Sequence, residues 1–166
     1  LTRILSHVQN EIELQFSADH GTPGREDMPA LFRAIHEHPA ITTFNSSGSF
    51  LYESFDTLCS SLATLPNLNR CFFDYLQWGR EDVSAFQRPE CATDLLRAPP
   101  LRTMLFRNLR IPRHICEAIA IAVRHGSSIT FLNFSVCSFL AGGNEIIASA
   151  LEDNSSLTAF EISLDN

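Results

Sequence analysis

Hydrophobic and polar positions recur along this chain at a regular interval, one strand-helix unit after another. The two clearest copies are Ile-Thr-Phe-Leu-Asn-Phe from Ile129 and Leu-Thr-Ala-Phe-Glu-Ile from Leu157, and a Ser-Ser pair precedes each of them. Four weaker copies begin at positions 11, 41, 68 and 101, with the longest interval between the last two of these. A period of roughly 20 to 50 residues is typical of repeat proteins, whose units pack on their neighbours.

Each copy predicts a short strand. Its fourth and sixth positions are mostly apolar, and they lie on one face because side chains alternate along a strand. These side chains are therefore expected to point inward and to stack into one core. They are Leu14, Phe16, Cys71, Phe73, Met104, Phe106, Leu132, Phe134, Phe160 and Ile162.

Behind the strands, the pattern changes to that of an amphipathic helix, with apolar residues at i, i+3, i+4 and i+7. The residues with this spacing are Phe55, Leu58, Cys59 and Leu62, then Ile115, Ala118, Ile119 and Ala122, then Ile147, Ala150 and Leu151. One strand and one helix cannot cover their own apolar strip, so stacked units with parallel strands and right-handed connections are expected. The sequence predicts one α/β domain over 1–166, with about six strands starting near 11, 41, 68, 101, 129 and 157.

The frame L-x-x-L-x-L-x-x-(N/C)-x-L resembles the leucine-rich repeat. The best copy has Cys137 at its ninth position and Phe139 two places later, and the length of the period with a full helix resembles the ribonuclease-inhibitor-like class. This resemblance implies a right-handed leucine-rich-repeat solenoid, a horseshoe arc with parallel strands on the concave face and helices on the convex face. Three departures stand out: Glu11 replaces the first frame apolar, Ser46 replaces an inward leucine, and the ninth position lacks asparagine.

The third unit is long, and both ends of the array are unusual. Pro89 is expected to interrupt its helix, and Arg80 to Cys91 are expected to protrude as a loop. Neither end shows a disulfide or a dedicated cap. Because a bare strand edge favours aggregation, we expect further repeats or a partner to cover it. The first residue is Leu1 rather than Met, which suggests a fragment of a larger protein.

Composition narrows the classes of partner. The formal net charge of −7 argues against nucleic acid, whose binders collect Lys and Arg on one face. No apolar run approaches the ~18 residues of a membrane span. Five cysteines form no CxxC pair, and Cys59, Cys71 and Cys137 fall at core-like positions, so reduced thiols and a cytoplasmic location are expected. Another protein is the expected partner, and a small molecule is not.

All twelve basic residues are arginine, so the chain is lysine-free. A GC-rich genome favours arginine codons and is one explanation. The other is selection against ubiquitin acceptors, as in a bacterial effector that acts in the cytoplasm of a host cell. Both explanations stay open at the level of sequence.

Residues with catalytic or metal-binding potential lack the required spacing. His36 and His38 stand two apart, whereas helical zinc motifs need i, i+4. His114 and Cys116 are also two apart, so their side chains diverge on a helix and core packing is the better interpretation for the thiol. We read the N-x-S sequons at 45, 133 and 154 as incidental. No catalytic residue, metal or cofactor is predicted, and the chain is not expected to be an enzyme.

The outward positions of the strands, the third, fifth and seventh of each copy, predict where a partner binds. They are Glu13, Gln15, Ser17, Thr43, Asn45, Ser47, Arg70, Phe72, Asp74, Thr103, Leu105, Arg107, Phe131, Asn133, Ser135, Ala159, Glu161 and Ser163. Phe72, Leu105 and Phe131 fall on adjacent strands, about 4.8 Å apart, which is typical of an exposed binding hot spot rimmed by charge. The alternative is that the long third unit or a neighbouring domain covers them.

The predicted site and function follow from this surface. The predicted partner-binding residues are Arg70, Phe72, Asp74, Leu105, Arg107, Phe131 and Asn133. The expected function is a protein-protein interaction module that recognises its partner on the concave face, as part of an effector, a ubiquitin-ligase recognition arm or an immune receptor. The alternative is a regulator of a small GTPase, since Ran GTPase-activating proteins share this repeat.

Overall fold

Strands and helices alternate along the chain in this computed structural model, which describes residues 2–8, 11–17, 28–47, 52–74, 89–125 and 127–163. The helices are α1 (Met28–Glu37), α2 (Tyr52–Ala63), α3 (Pro89–Leu96), α4 (Arg113–Arg124) and α5 (Gly143–Glu152). The strands are β1 (Thr2–Val8), β2 (Glu11–Ser17), β3 (Thr43–Ser47), β4 (Arg70–Asp74), β5 (Thr103–Arg107), β6 (Arg110–Ile111), β7 (Phe131–Ser135), β8 (Ser138–Phe139) and β9 (Ala159–Ser163).

Seven strands form one sheet in the order β1-β2-β3-β4-β5-β7-β9, and the six from β2 to β9 are parallel, as predicted. In this sheet, each strand from β3 onwards begins at the third position of its sequence copy. The second position of each copy links neighbouring units. Thr130 O, for example, accepts hydrogen bonds from the N–H groups of Thr158 and Ala159 at 2.9 and 3.1 Å.

The inward face of the sheet carries a continuous column of aromatic rings. Phe73, Phe106 and Phe134 occupy the same position in successive strands, and their ring centroids are 5.9 and 5.4 Å apart. In β3 this position holds Ser46, which is fully buried. The ring of Phe44 fills the space instead, 5.8 Å from that of Phe73. The serine that departs from the repeat frame is therefore accommodated within the core.

The helices cover this inward face, as their apolar spacing predicts. The predicted inward residues Leu14, Cys71, Met104 and Leu132 are buried. The predicted helical residues Leu58, Cys59, Leu62, Ile115, Ala118, Ile119, Ala122, Ile147 and Ala150 are buried with them. In the last unit the prediction is only partly right, since Ile162 is 47% exposed.

Two predictions about irregular segments are wrong. Pro89 begins α3 instead of interrupting a helix, because the first helical position needs no N–H donor and suits the fixed φ of proline. Cys91, expected in a protruding loop, is buried inside α3. Residues 80–88 of the predicted insertion lie outside the described part of the chain.

The expectation of an uncapped start is also wrong. β1 pairs antiparallel with β2 along its whole length, from Thr2 opposite Ser17 to Val8 opposite Glu11. The N-terminal edge of the parallel sheet is thus covered by a strand that precedes the repeats.

We predict that Gly143→Ala destabilises the chain through contact between α4 and α5. A Cβ at Gly143 would overlap Cys116 Sγ and lie 3.3 Å from Cys116 Cβ and 3.4 Å from Phe139 Cβ. Overpacking of this kind costs roughly 1–3 kcal/mol, which outweighs the ~1 kcal/mol by which alanine favours a helix. Urea unfolding should show a loss of stability that Cys116→Ala partly relieves in the double variant. Asn144→Ala, at the next and exposed position, is the control, and strictly additive effects would contradict the prediction.

We predict that Val136→Asn stabilises the chain. Val136 has a φ of 57°, as does Asn108, which occupies the equivalent position one repeat earlier. A β-branched side chain strains the backbone in this left-handed region, whereas asparagine tolerates it. Relief of the strain should raise the free energy of unfolding by about 1 kcal/mol, measured as a higher urea midpoint at unchanged slope. A lower midpoint for both Val136→Asn and Val136→Gly would show that the side-chain contacts of Val136 outweigh the strain.

Candidate protein-binding surface

The face of the sheet that the helices leave uncovered, called here the open face, consists of three rows of side chains. Because the strands pair in parallel and in one register, residues at equivalent positions of neighbouring strands lie side by side and form each row. The first row is Glu13, Thr43, Arg70, Thr103, Phe131 and Ala159, the second is Gln15, Asn45, Phe72, Leu105, Asn133 and Glu161, and the third is Ser47, Asp74, Arg107, Ser135 and Ser163. The predicted outward residues with described side chains therefore share one surface.

Three large apolar side chains lie in the middle of the open face. Phe72 is directly opposite Leu105, whereas Phe131 is opposite Thr103. Phe131 thus lies diagonal to Leu105 instead of continuing the row, at a Cα separation of roughly 7–8 Å that an aromatic ring still spans. All three side chains are partly buried and partly exposed. We call Phe72, Leu105 and Phe131 the apolar patch.

Charged residues border the apolar patch at both ends of the strands. Arg70 is exposed at the start of β4. At the other end, Arg107 Nη1 lies 4.0 Å from Asp74 Oδ2, and Asn108 Nδ2 donates a hydrogen bond to Asp74 Oδ1 at 2.8 Å. An ion pair this exposed contributes little to stability. Together with the hydrogen bond from Asn108, the ion pair positions the Asp74 carboxylate beside the patch.

Asn133, a predicted contact residue, is only 7% exposed. Its Nδ2 donates to Glu161 Oε2 at 2.5 Å, and its Oδ1 accepts from Ser135 Oγ at 2.6 Å. Both ends of the amide are satisfied within the sheet, so Asn133 borders the patch and supports it. The sequence pattern could not reveal this role, since Glu161 belongs to the next repeat.

The amides of the three sequons all serve the fold. Asn45 Nδ2 donates to Glu13 Oε1 at 3.4 Å. Asn154 Nδ2 donates to Val123 O at 2.6 Å, and its Oδ1 accepts from the N–H groups of Ser156 and Leu157 at 3.0 and 2.8 Å. The side chain of Asn154 therefore closes the turn into β9. These bonds agree with the interpretation of the sequons as incidental.

All five cysteines are buried and free. Burial raises the pKa of Cys59 and Cys71 well above the ordinary value. It also raises the pKa of Cys116 to about 12 and that of Cys137 to about 11. These thiols stay protonated at neutral pH and are poor nucleophiles. Core packing of Cys116 is thus confirmed.

His114 and Cys116 both lie in the first turn of α4. Burial lowers the pKa of His114, and Cys116 Sγ faces the backbone carbonyl of Ile111 at 3.9 Å. His36 is exposed in the last turn of α1, and His38 follows the helix end at Glu37. In the part of the chain that the structure describes, no three His, Cys, Asp or Glu side chains form a metal-binding group.

A cleft of about 310 Å³ lies between α1 and α2 on the helical side of the sheet. It is lined by Phe32, Ile35, His36, Thr57, Ser60, Ser61 and Thr64. The hydroxyl of Ser61 donates to Thr57 O at 2.8 Å, and that of Thr64 donates to Ser61 O at 2.7 Å. Two of the polar side chains that line the cleft are therefore bonded to the backbone of α2. The helical spacing in the sequence did not predict it.

No family model matches the sequence, and it matches no curated protein and no solved structure. Within the described ranges, no helix has both the length and the apolar character needed to span a membrane. The surface itself is therefore the basis for a functional conclusion.

We predict that stability falls in mild alkali partly because of Cys116. Its pKa rises from 9.0 to about 12 on folding, so its contribution to stability is complete below pH 9 and is lost as the pH rises through the folded value. Between pH 8 and pH 10, wild type should lose about 1 kcal/mol more than Cys116→Ala. Urea unfolding at both pH values measures this difference. Parallel losses in the two chains would show that the thiol is not held protonated.

Proposed function

We propose that this chain is a protein-binding module of the leucine-rich-repeat type. In this proposal the strand-helix units form a right-handed arc, and the open face is its concave side. Support comes from the parallel pairing of six strands in one register, the helices on a single face, and a sequence period that matches the frame of that repeat. The partner is another protein, bound across the strands.

The apolar patch is the observation that carries this proposal. Phe72, Leu105 and Phe131 stand on the face that the five described helices leave uncovered, and each is partly exposed. Large apolar side chains grouped on a surface and bordered by charge are typical of the centre of a protein interface. Covering each of them contributes on the order of 1.5–3 kcal/mol to binding.

The border of the patch indicates the character of the partner. Arg70 and Arg107 lie at opposite ends of neighbouring strands, with the apolar side chains between them. Arg107 forms an ion pair with Asp74 at the end of the strands, and Arg70 is exposed in the first row of the open face, next to Thr43 and Thr103. A partner that places an apolar side chain on the patch and polar or charged side chains around it fits this surface.

The setting that we propose is the cytoplasm, including that of a host cell after secretion. Five buried, unpaired thiols suit a reducing compartment. A chain whose twelve basic residues are all arginine also offers no lysine side chain to ubiquitin ligases. Both features are compatible with an effector that must persist in a foreign cell.

We predict that Phe72→Ala, Leu105→Ala and Phe131→Ala each abolish partner capture at a small cost in stability. The side chains are only partly buried, so truncation should lower the free energy of unfolding by no more than about 1 kcal/mol, below the 2–5 kcal/mol typical of core positions. Quantitative mass spectrometry of proteins retained by the immobilised chain measures capture. Urea unfolding measures stability on the same samples.

The matched control for this experiment is Ile121→Ala. Ile121 is 42% exposed on α4, on the opposite side of the molecule, so its truncation also removes exposed apolar surface. The control should retain every partner that wild type retains. Partners that survive all three patch variants but disappear with Ile121→Ala would place the binding surface on the helices and contradict the proposal.

A further inference from the structure

The open face carries a glutamate on each side of the apolar patch. On both sides, the second row runs from the patch to an asparagine, and the strand beyond that asparagine carries the glutamate. Asn45 on β3 is followed by Glu13 on β2, and Asn133 on β7 is followed by Glu161 on β9. Glu161 is exposed, and Glu13 is partly exposed. The patch thus lies between two acidic positions.

A hydrogen bond holds each carboxylate over the open face. Glu13 Oε1 accepts from Asn45 Nδ2 at 3.4 Å, and Glu161 Oε2 accepts from Asn133 Nδ2 at 2.5 Å. Each amide lies one strand closer to the patch than its glutamate. Among the described residues, no other hydrogen bond and no ion pair reaches either carboxylate. Each therefore has an oxygen left to accept from a basic group of a partner.

The two arginines of the open face lie away from these glutamates. Arg70 is on β4 and Arg107 on β5, so both are at least two strands from β2 and from β9. Two strand spacings are about 10 Å, which is close to the distance over which physiological salt screens a charge. Arg107 is also paired with Asp74. A basic group placed at Glu13 or Glu161 is thus repelled only weakly by these arginines.

The separation of the two glutamates sets the length of a matching ligand. Their strands are five spacings apart in the sheet, or about 24 Å, and the carboxylates lean inward from there. In an extended chain, alternate side chains share one face, and residues six apart are separated by about 20 Å. Two further side chains on that face lie between them. Their spacing of about 7 Å places one over Phe72 and the other over Leu105.

We infer that the open face binds an extended segment of a partner protein with two basic side chains six residues apart and apolar side chains between them. The segment lies across the strands, with its apolar side chains on the apolar patch and its basic side chains at Glu13 and Glu161. This inference rests on the proposed function, because it uses the same patch, and it adds the charge and the length of the bound segment. An acidic segment fits less well, because it would bring like charges together at both ends.

Fluorescence anisotropy with a labelled seven-residue peptide tests this inference. Its sequence is Arg-Ser-Leu-Ser-Leu-Ser-Arg, with both termini blocked so that only side chains carry charge. One control peptide has glutamate in place of arginine, and the other contains the same residues in the order Arg-Arg-Ser-Ser-Ser-Leu-Leu. The first peptide should bind at least about tenfold more tightly than either control, because only it combines the charge with the spacing. Its affinity should also fall as salt rises.

Variants of the chain locate the binding site. Glu13→Gln combined with Glu161→Gln should weaken binding of the first peptide by about tenfold, since two charge contacts are lost. Glutamine still accepts the hydrogen bond from asparagine, so the fold is preserved. The matched control, Glu145→Gln with Glu152→Gln, removes the same charge from exposed positions of α5 and should change affinity by less than about twofold. Phe72→Ala should weaken binding as well, because it removes part of the apolar contact.

Four outcomes would overturn the inference. They are an equal loss of affinity in the two glutamine double variants, equal affinity for the three peptides, no measurable binding of the first peptide, and binding that survives Phe72→Ala. A dimer in analytical ultracentrifugation that dissociates on Phe72→Ala would also overturn it, by assigning the open face to a second copy of this chain.

The proposed function is tested separately by partner capture. If the patch variants lose their partners while the three peptides bind equally, the chain is still a protein-binding module, and only the basic character of its partner is refuted. If the patch variants keep every partner, the proposed function fails and the inference fails with it.

Discussion

Burial of each unit's apolar strip by the next unit is the constraint on which the structure depends. A short strand and a helix of two or three turns cannot enclose a core, so Phe73, Phe106 and Phe134 become buried only when their strands lie side by side. The same stacking brings each second-position carbonyl to two N–H groups of its neighbour. Hydrophobic burial and backbone pairing therefore favour one register, and that register places every other side chain.

The open face is a consequence of this register. Side chains that do not point at the helices must point away from them, so residues from strands far apart in sequence form straight rows. Within these rows the polar residues bond to each other, as Asn133 does with Glu161 and Ser135. The apolar patch has no equivalent set of internal bonds, and it interrupts an otherwise polar surface. That contrast supports the proposal that the patch is the contact surface.

The first and last strands of the described sheet differ in their pairing. At the start, β1 folds back on β2 and pairs with it fully. At the other end, β9 keeps one side of its backbone and the side chain of Ile162 accessible within the described residues.

The sequence by itself determined the period, the six parallel strands, the inward and outward residues and the burial of Cys59, Cys71 and Cys137, because these depend on spacing along one segment. Tertiary structure decided the pairing of β1 and the helix that starts at Pro89. It also decided the exposure of Ile162, which stands at an inward position of its sequence copy. These features depend on contacts between segments that are distant in the sequence, and the pattern within one segment does not specify such contacts.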